Sequence, residues 1–204
     1  MGDTVIGPAR RGDATALARL HREAFPGFFL SQLGERFLRE FYRGFLDDPT
    51  AVTVVARDAH GRPVGAAVGT TEPAGFYKRL LRRRLLGLGI ASALAAARHP
   101  QSIGRLLRGM AYRGSTGSGP APRGALLSSI CTAPHIQGAG LGQRLIAQWE
   151  MSAAQLGERE AHLSTDAFDN EGANAFYRQC GWRQESQYLT REGRRMNLFV
   201  KELI

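Results

Sequence analysis

Residues 134–142 read PHIQGAGLG, set between an apolar run, ALLSSICT (125–132), and a helix-forming stretch, QRLIAQWEMSAAQL (143–156). A proline leads out of the apparent strand, and glycines at 138, 140 and 142 open the apparent helix without an acidic cap. Removing Cβ lets backbone approach a ligand closely. A glycine-rich turn at a helix start also aims several unpaired N–H groups at one point, where the helix dipole adds positive charge. That combination suits phosphate, and an acidic cap would repel it. Arg144, one turn into the helix, can add a charge-assisted contact. The stretch is not a P-loop, because no Lys-Ser or Lys-Thr follows the last glycine, and its spacing is not the dinucleotide fingerprint.

Reading outward, TVIGPA (4–9) predicts a short strand, and DATALARLHREA (13–24) a helix capped by Asp13. In LSQLGERFLREFYRGFL, Leu33, Phe37, Phe41 and Phe45 recur every four residues, which predicts one amphipathic helix. AVTVVARD (51–58) and PVGAAVGTT (63–71) flank His60-Gly61-Arg62 and read as a hairpin. Residues 74–113 have helical character, broken near His99-Pro100, and run into the loop STGSGPAP (115–122). After the glycines come a strand near EAHLST (160–165) and a helix in NEGANAFYRQCG. Two strands close the chain, near SQYLTR (186–191) and MNLFVKEL (196–203), turning at Glu192-Gly193-Arg194. This order supports a mixed α/β layer fold, with helices packed on a mainly antiparallel sheet. The chain reads as a single domain, 1–204, with a basic helical insertion at about 74–123.

With 204 residues, 43% hydrophobic and 22% charged, the composition is that of an ordinary globular protein. Two cysteines, Cys131 and Cys180, without a CxxC or Cys/His cluster, point to reduced thiols in the cytoplasm and to no metal site. MGDTVIGPARRGD lacks the apolar core of a secretory signal, and LLGLGIASALAAA (85–97) is too short to span a bilayer. The net charge of +9 is concentrated. Residues 78–113 hold nine basic groups, and the other 18 balance the 18 acids. No Asp or Glu lies between Glu72 and Glu150. A solvated face, an anionic acceptor, a lipid surface and a nucleic acid all fit such a run.

Gln137-Gly138-Ala139-Gly140-Leu141-Gly142 resembles the Q/R-x-x-G-x-G/A signature of the GNAT superfamily of N-acetyltransferases. Downstream, Asn170-Glu171-Gly172-Ala173-Asn174-Ala175-Phe176-Tyr177-Arg178-Gln179-Cys180-Gly181-Trp182 resembles that family's second signature, N-x-x-A-x-x-x-Y-x-x-x-G-F, with Trp182 as the aromatic. The resemblance is firm over 124–204, extends in element order over 1–71, and does not cover 74–123.

The resemblance implies a sheet whose fourth and fifth strands run parallel and splay apart, with helices on both faces. It implies acetyl-coenzyme A as donor, its pantetheine arm along Ile130, Cys131 and Thr132. Its diphosphate would sit on the N–H groups of Gln137, Gly138, Ala139, Gly140, Leu141 and Gly142, with Asn170 beside the thiol end. Tyr177 takes the family's tyrosine position and is expected to serve as general acid to the leaving thiolate. The base is open. ALLSSICT has no acid; Ser128 and Ser129 can orient water, and Asp166, Glu23 and His21 are candidates by location. His135 is expected to face solvent. A covalent acetyl-Cys131 route has no partner identifiable by spacing, so direct transfer to an amine in a ternary complex is expected. The acceptor side would be built by 25–45 and 191–196, and the insertion offers a lid or a homodimer contact. Two rival readings are a non-catalytic coenzyme A-binding regulator and a nucleic-acid module on 78–113.

Overall fold

The computed structural model describes residues 4–98, 122–190 and 193–204. The predicted break near His99-Pro100 and the STGSGPAP loop lie outside them, apart from Pro122. Seven strands form one sheet: β1 (Val5–Pro8), β2 (Ala51–Arg57), β3 (Pro63–Thr70), β4 (Ala125–Thr132), β5 (Glu160–Asp166), β6 (Arg183–Leu189) and β7 (Arg195–Glu202). Their spatial order is β1-β2-β3-β4-β5-β7-β6, and every pairing is antiparallel except β4 with β5. The helices are α1 (Ala14–Ala24), α2 (Phe29–Gln32), α3 (Glu35–Leu46), α4 (Pro73–Arg98), α5 (Leu141–Gln155) and α6 (Glu171–Gln179).

Strand alternation puts these helices on opposite faces of the sheet. A side chain at Gly65 would meet Leu145 of α5, so Gly65 faces that helix. Its neighbour Ala66 pairs with Cys131, whose thiol lies beside Tyr42 of α3. Phe37, Leu38, Phe41 and Phe45 of α3 are buried together with Leu17 and Leu20 of α1, so the four-residue spacing marks core. Trp149 of α5 is buried on the other face and donates from Nε1 to the Val52 carbonyl, 3.1 Å away.

Two local expectations are corrected. The single amphipathic helix over 30–46 is broken into α2 and α3, because Gly34 adopts φ 88° and interrupts the ladder. Asp13 makes no side-chain cap for α1. It accepts instead from both guanidinium nitrogens of Arg57 on β2, at 2.9 and 2.7 Å, and from the Arg10 amide. That ties the start of α1 to the sheet.

The basic run also proves more than a solvated face. Helix α4 turns at Ala74–Gly75 and again at Arg84. Arg79 and Arg83 pair with Asp48, whose side chain is only 2% exposed, and Arg84 pairs with Asp47 and Glu40. The acids absent from 73–149 are thus supplied by α3 and the residues just after it. Lys78 and Arg82 stay exposed.

Candidate functional site

β4 and β5 pair only at Ala125↔Ala161 and Leu126↔His162. Beyond that they separate, and β5 continues with β7 alone on its other edge. A register shift opposite Val68–Gly69 leaves Ser128 as an extra residue in β4, a bulge where the strand departs. Past the bulge, backbone groups on the β5-facing edge of β4 have no strand to pair with, and Ser128, Ser129 and Ile130 are half-buried. Thr132 is half-buried as well, whereas Cys131 turns its thiol inward.

β4 then leads to the glycine turn. Pro134–Ile136 form a single 3-10 turn, with His135 exposed, and Gln137 is extended. Gly138 and Gly140 have φ 81° and 76°, conformations that side chains with Cβ resist, and Gly140 caps α5 with no side-chain cap. The helical ladder begins where the Arg144 amide donates to the Gly140 carbonyl at 3.2 Å. The N–H groups of Leu141, Gly142 and Gln143 therefore precede any intrahelical acceptor. Residues 137–140 are all exposed, so the turn that leads into these donors lies at the surface, while Leu141 is buried and Gly142 half-buried. Arg144 does not join them: its guanidinium donates to the Thr4 carbonyl at 3.1 Å.

The second signature packs directly on the first. A Cβ at Gly142 would lie 3.2 Å from the Phe176 ring, so the small residue lets α6 close against the start of α5. Trp182 anchors the far end of α6, donating from Nε1 to Glu150 of α5 at 2.8 Å. Lys201 of β7 joins the same carboxylate at 2.6 Å. Tyr177 stacks edge-on with Phe176 and Trp182 and lies against Phe199. Its hydroxyl has no hydrogen-bond partner among the described residues. Burial, with Cys180 adding to it, pushes its phenol above the ordinary value. Asn170 is half-buried at the start of α6 and makes no side-chain cap.

Asn174, inside the second signature but not singled out by it, holds a buried amide network. Its Oδ1 accepts from Thr165 at 2.5 Å and from Asn197 at 3.2 Å, and its Nδ2 donates to the Asp166 carbonyl. The network fixes α6 to β5 and β7, and so fixes Tyr177.

The candidate bases separate. Glu23 is exposed. Asp166 is held by Arg194 of the β6–β7 turn at 2.6 Å. His21 is buried, with Nδ1 2.9 Å from Tyr42 Oη. Ser128 and Ser129 point to the α1 and α3 face, where Ser128 meets Tyr77 Oη of α4 at 3.0 Å. Burial pushes the Cys131 thiol up to about 12, so it stays protonated and is a poor nucleophile. Sequence reasoning missed Tyr42 and Tyr77 as polar partners of β4; at helical spacing both look like core aromatics.

The chain matches the acetyltransferase (GNAT) family over residues 14–182. No curated protein matches it. Among solved structures it is similar to the Escherichia coli ribosomal-protein-S18-alanine N-acetyltransferase, with 13% identity, TM-score 0.59, and 98% of this chain and 94% of that one covered. It is also similar to a Drosophila melanogaster polyamine N-acetyltransferase, with 17% identity, TM-score 0.60, and 98% and 100% covered. A spermidine N-acetyltransferase chimera built in part from Vibrio cholerae gives 15% identity, TM-score 0.60, and 98% and 95% covered. At such identities the likeness is one of fold.

Proposed function

The chain belongs to the acetyltransferase (GNAT) family, and from that premise we propose that it transfers an acetyl group from acetyl-coenzyme A to a primary amine by direct attack. One observation carries this reading. The gap between β4 and β5 is continuous along β4 with the unpaired N–H groups after Gln137. The first suits a pantetheine arm that needs backbone partners, and the second suits a diphosphate. We read the whole chain as one acetyltransferase domain of the cytoplasm with an insertion at about 74–123.

In this reading Ile130, Cys131 and Thr132 offer backbone groups to the arm, and Gln137, Gly138, Ala139, Gly140, Leu141 and Gly142 hold the diphosphate. Asn170, whose side chain is not used as a cap, lies at the thiol end. Bound acetyl-coenzyme A supplies the chemistry of an activated thioester carbonyl. Tyr177 stays protonated because burial raises its phenol. Its hydroxyl donates a hydrogen bond, and at the limit a proton, to the sulfur as negative charge collects there. The buried, protonated Cys131 argues for direct transfer over an acetyl-cysteine route.

The test follows thiol release from acetyl-coenzyme A in the presence of spermidine, agmatine and an alanine-leading peptide. Tyr177→Phe is expected to lower kcat by about 100-fold with unchanged coenzyme affinity. An unchanged rate removes Tyr177 from the mechanism. Coenzyme binding without turnover of any amine would favour a regulator.

A further inference from the structure

The acetyltransferase reading leaves open what meets the acceptor amine, since β4 carries no carboxylate and Asp166 is engaged by Arg194. Building on that reading, we propose that α4, the helix of the insertion, supplies a positioning residue to the acceptor side. Tyr77 holds the Ser128 hydroxyl in place, and Ser128 accepts a hydrogen bond from the acceptor nitrogen.

Tyr77 reaches β4 because α4 is aimed there. Ala74 has ψ 112° and Gly75 φ 84°, so the chain turns before Phe76 and the next side chains enter the core. The Phe76 ring centroid lies 4.7 Å from that of Phe45 on α3, and Leu80 occupies the space that a side chain at Gly44 would need. Arg79 and Arg84 then pair with Asp48 and Asp47. Held by these anchors, Tyr77 is 5% exposed, and its Oη lies 3.0 Å from Ser128 Oγ.

Ser128 stands at the mouth of the gap. β4 last pairs with β5 at Leu126, two residues earlier, and the register shift leaves Ser128 without a partner on β3. Leu127 pairs with Gly69, which faces Trp149 of α5, so the following serine turns to the opposite face, toward α4. Tyr177 comes from α6, which packs on the start of α5. With Tyr177 meeting the sulfur from that side, the face left for the amine is the one on which Ser128 stands, and there Ser128 is only half-buried.

A phenylalanine would dock α4 as well, and a tyrosine hydroxyl taken into the core costs desolvation unless it finds a partner. In Ser128 it finds one with capacity to spare. With Tyr77 donating to Ser128 Oγ, a second lone pair of that oxygen remains for an N–H of the amine. A neutral oxygen suits the task, because the amine must be uncharged to attack the thioester. A carboxylate at this place would favour the ammonium form, whereas a hydroxyl binds the amine without holding its proton.

Tyr77→Phe keeps the ring and removes the hydroxyl. With whichever of spermidine, agmatine or the alanine-leading peptide the wild type acetylates, at saturating acetyl-coenzyme A, KM for the amine is expected to rise about 10-fold while kcat changes less than about twofold. Ser128→Ala is expected to do the same. The double variant should be no worse than Ser128→Ala, because Tyr77 acts only through that hydroxyl. Ser128→Thr keeps the hydroxyl and should hold KM within about threefold of wild type. Calorimetric affinity for acetyl-coenzyme A and the circular dichroism spectrum are expected to stay unchanged throughout. An unchanged KM in Tyr77→Phe marks a strut between α4 and β4 and overturns the proposal. So do effects that multiply in the double variant, and so does a coenzyme affinity that falls together with KM, which would place the pair at the donor. Those results leave the acetyltransferase reading standing. Absence of turnover by the wild type with every acceptor overturns the parent reading, and the pair with it.

Discussion

The richest charge in this chain and its best candidate anion site are in different places. Along α4, arginines are abundant, but Arg79, Arg83 and Arg84 are committed to Asp48, Asp47 and Glu40. The turn at 137–142 has no charged residue at all, yet it presents backbone donors at a helix start. Formal charge counts side chains without saying what already neutralises them, whereas unpaired N–H groups are fixed in direction and cost no rotamer entropy to aim. In this chain a region of net charge works mainly as a docking seam, and the unpaired donors lie in a region without charge.

The comparison breaks most directly at Gly140. Valine there must adopt φ near 76°, which a β-branched residue resists, at a cost of about 1–2 kcal/mol. The turn would relax and its donors would diverge. Calorimetry is expected to show acetyl-coenzyme A binding weakened about 100-fold or more, equivalent to about 2.7 kcal/mol. Retained affinity would mean that the open donors are not the diphosphate site. The seam gives the converse. Asp48→Ala removes an almost fully buried carboxylate that also accepts from the Thr50 amide and hydroxyl. Loss of a buried partner is costly, though Arg79 is 31% exposed and can rehydrate, so a loss of about 2 kcal/mol is expected in urea unfolding. Coenzyme affinity should not change. If it falls as far as in Gly140→Val, the seam and the site are one unit and the contrast fails.

These regions also differ in how far they could be read from sequence. The glycine turn was legible because its path requires particular backbone conformations at Gly138 and Gly140, and few residues besides glycine permit them. The same holds for β2–β3, where His60-Gly61-Arg62 joins two apolar runs, and for Gly142, whose missing side chain admits Phe176. The seam was not legible. Its acids lie more than thirty residues before its arginines, and local spacing does not encode such pairs. Tyr42 and Tyr77 were hidden for a related reason: an aromatic at a core position looks the same whether or not its hydroxyl finds a partner across the sheet. Asp13 shows the limit at short range. An Asp before a helix usually caps it, but Arg57 on the neighbouring strand offers a bidentate partner and takes it.

That pair sharpens the contrast through pH. Burial alone would raise the Asp13 carboxyl, but hydrogen bonds from Arg57 and the Arg10 amide outweigh it, so its value lies below the ordinary 3.8. A depressed carboxylate contributes stability that is present above its unfolded value and lost as pH falls through the folded one. Asp13→Asn is therefore expected to cost about 1.5 kcal/mol at pH 7 in urea unfolding. The gap from wild type should close as the pH drops below about 4 and the wild-type carboxylate titrates. A gap that persists at pH 2 would assign the loss to packing instead of charge. Asp48 is lowered in the same way, burial opposed and outweighed by Arg79 and Thr50, so acid should loosen the seam in the same range.

The smallest effect is expected at the seam's outer margin. Arg83 reaches Asp48 at 3.4 Å, but its side chain is 52% exposed and Arg79 already serves that carboxylate. An exposed long side chain gains little Coulomb energy in water and loses rotamer freedom when held. Arg83→Ala should change stability by about 0.5 kcal/mol or less, and 0.5 M salt should leave even that difference smaller. The value of the measurement lies in its partner. If Arg83→Ala and Asp48→Ala cost the same, the seam is held at its rim and Arg79 is dispensable. If they differ by the expected fourfold, Asp48 is held from within, by Arg79 and Thr50. The exposed arginines of α4 are then free for whatever approaches that face.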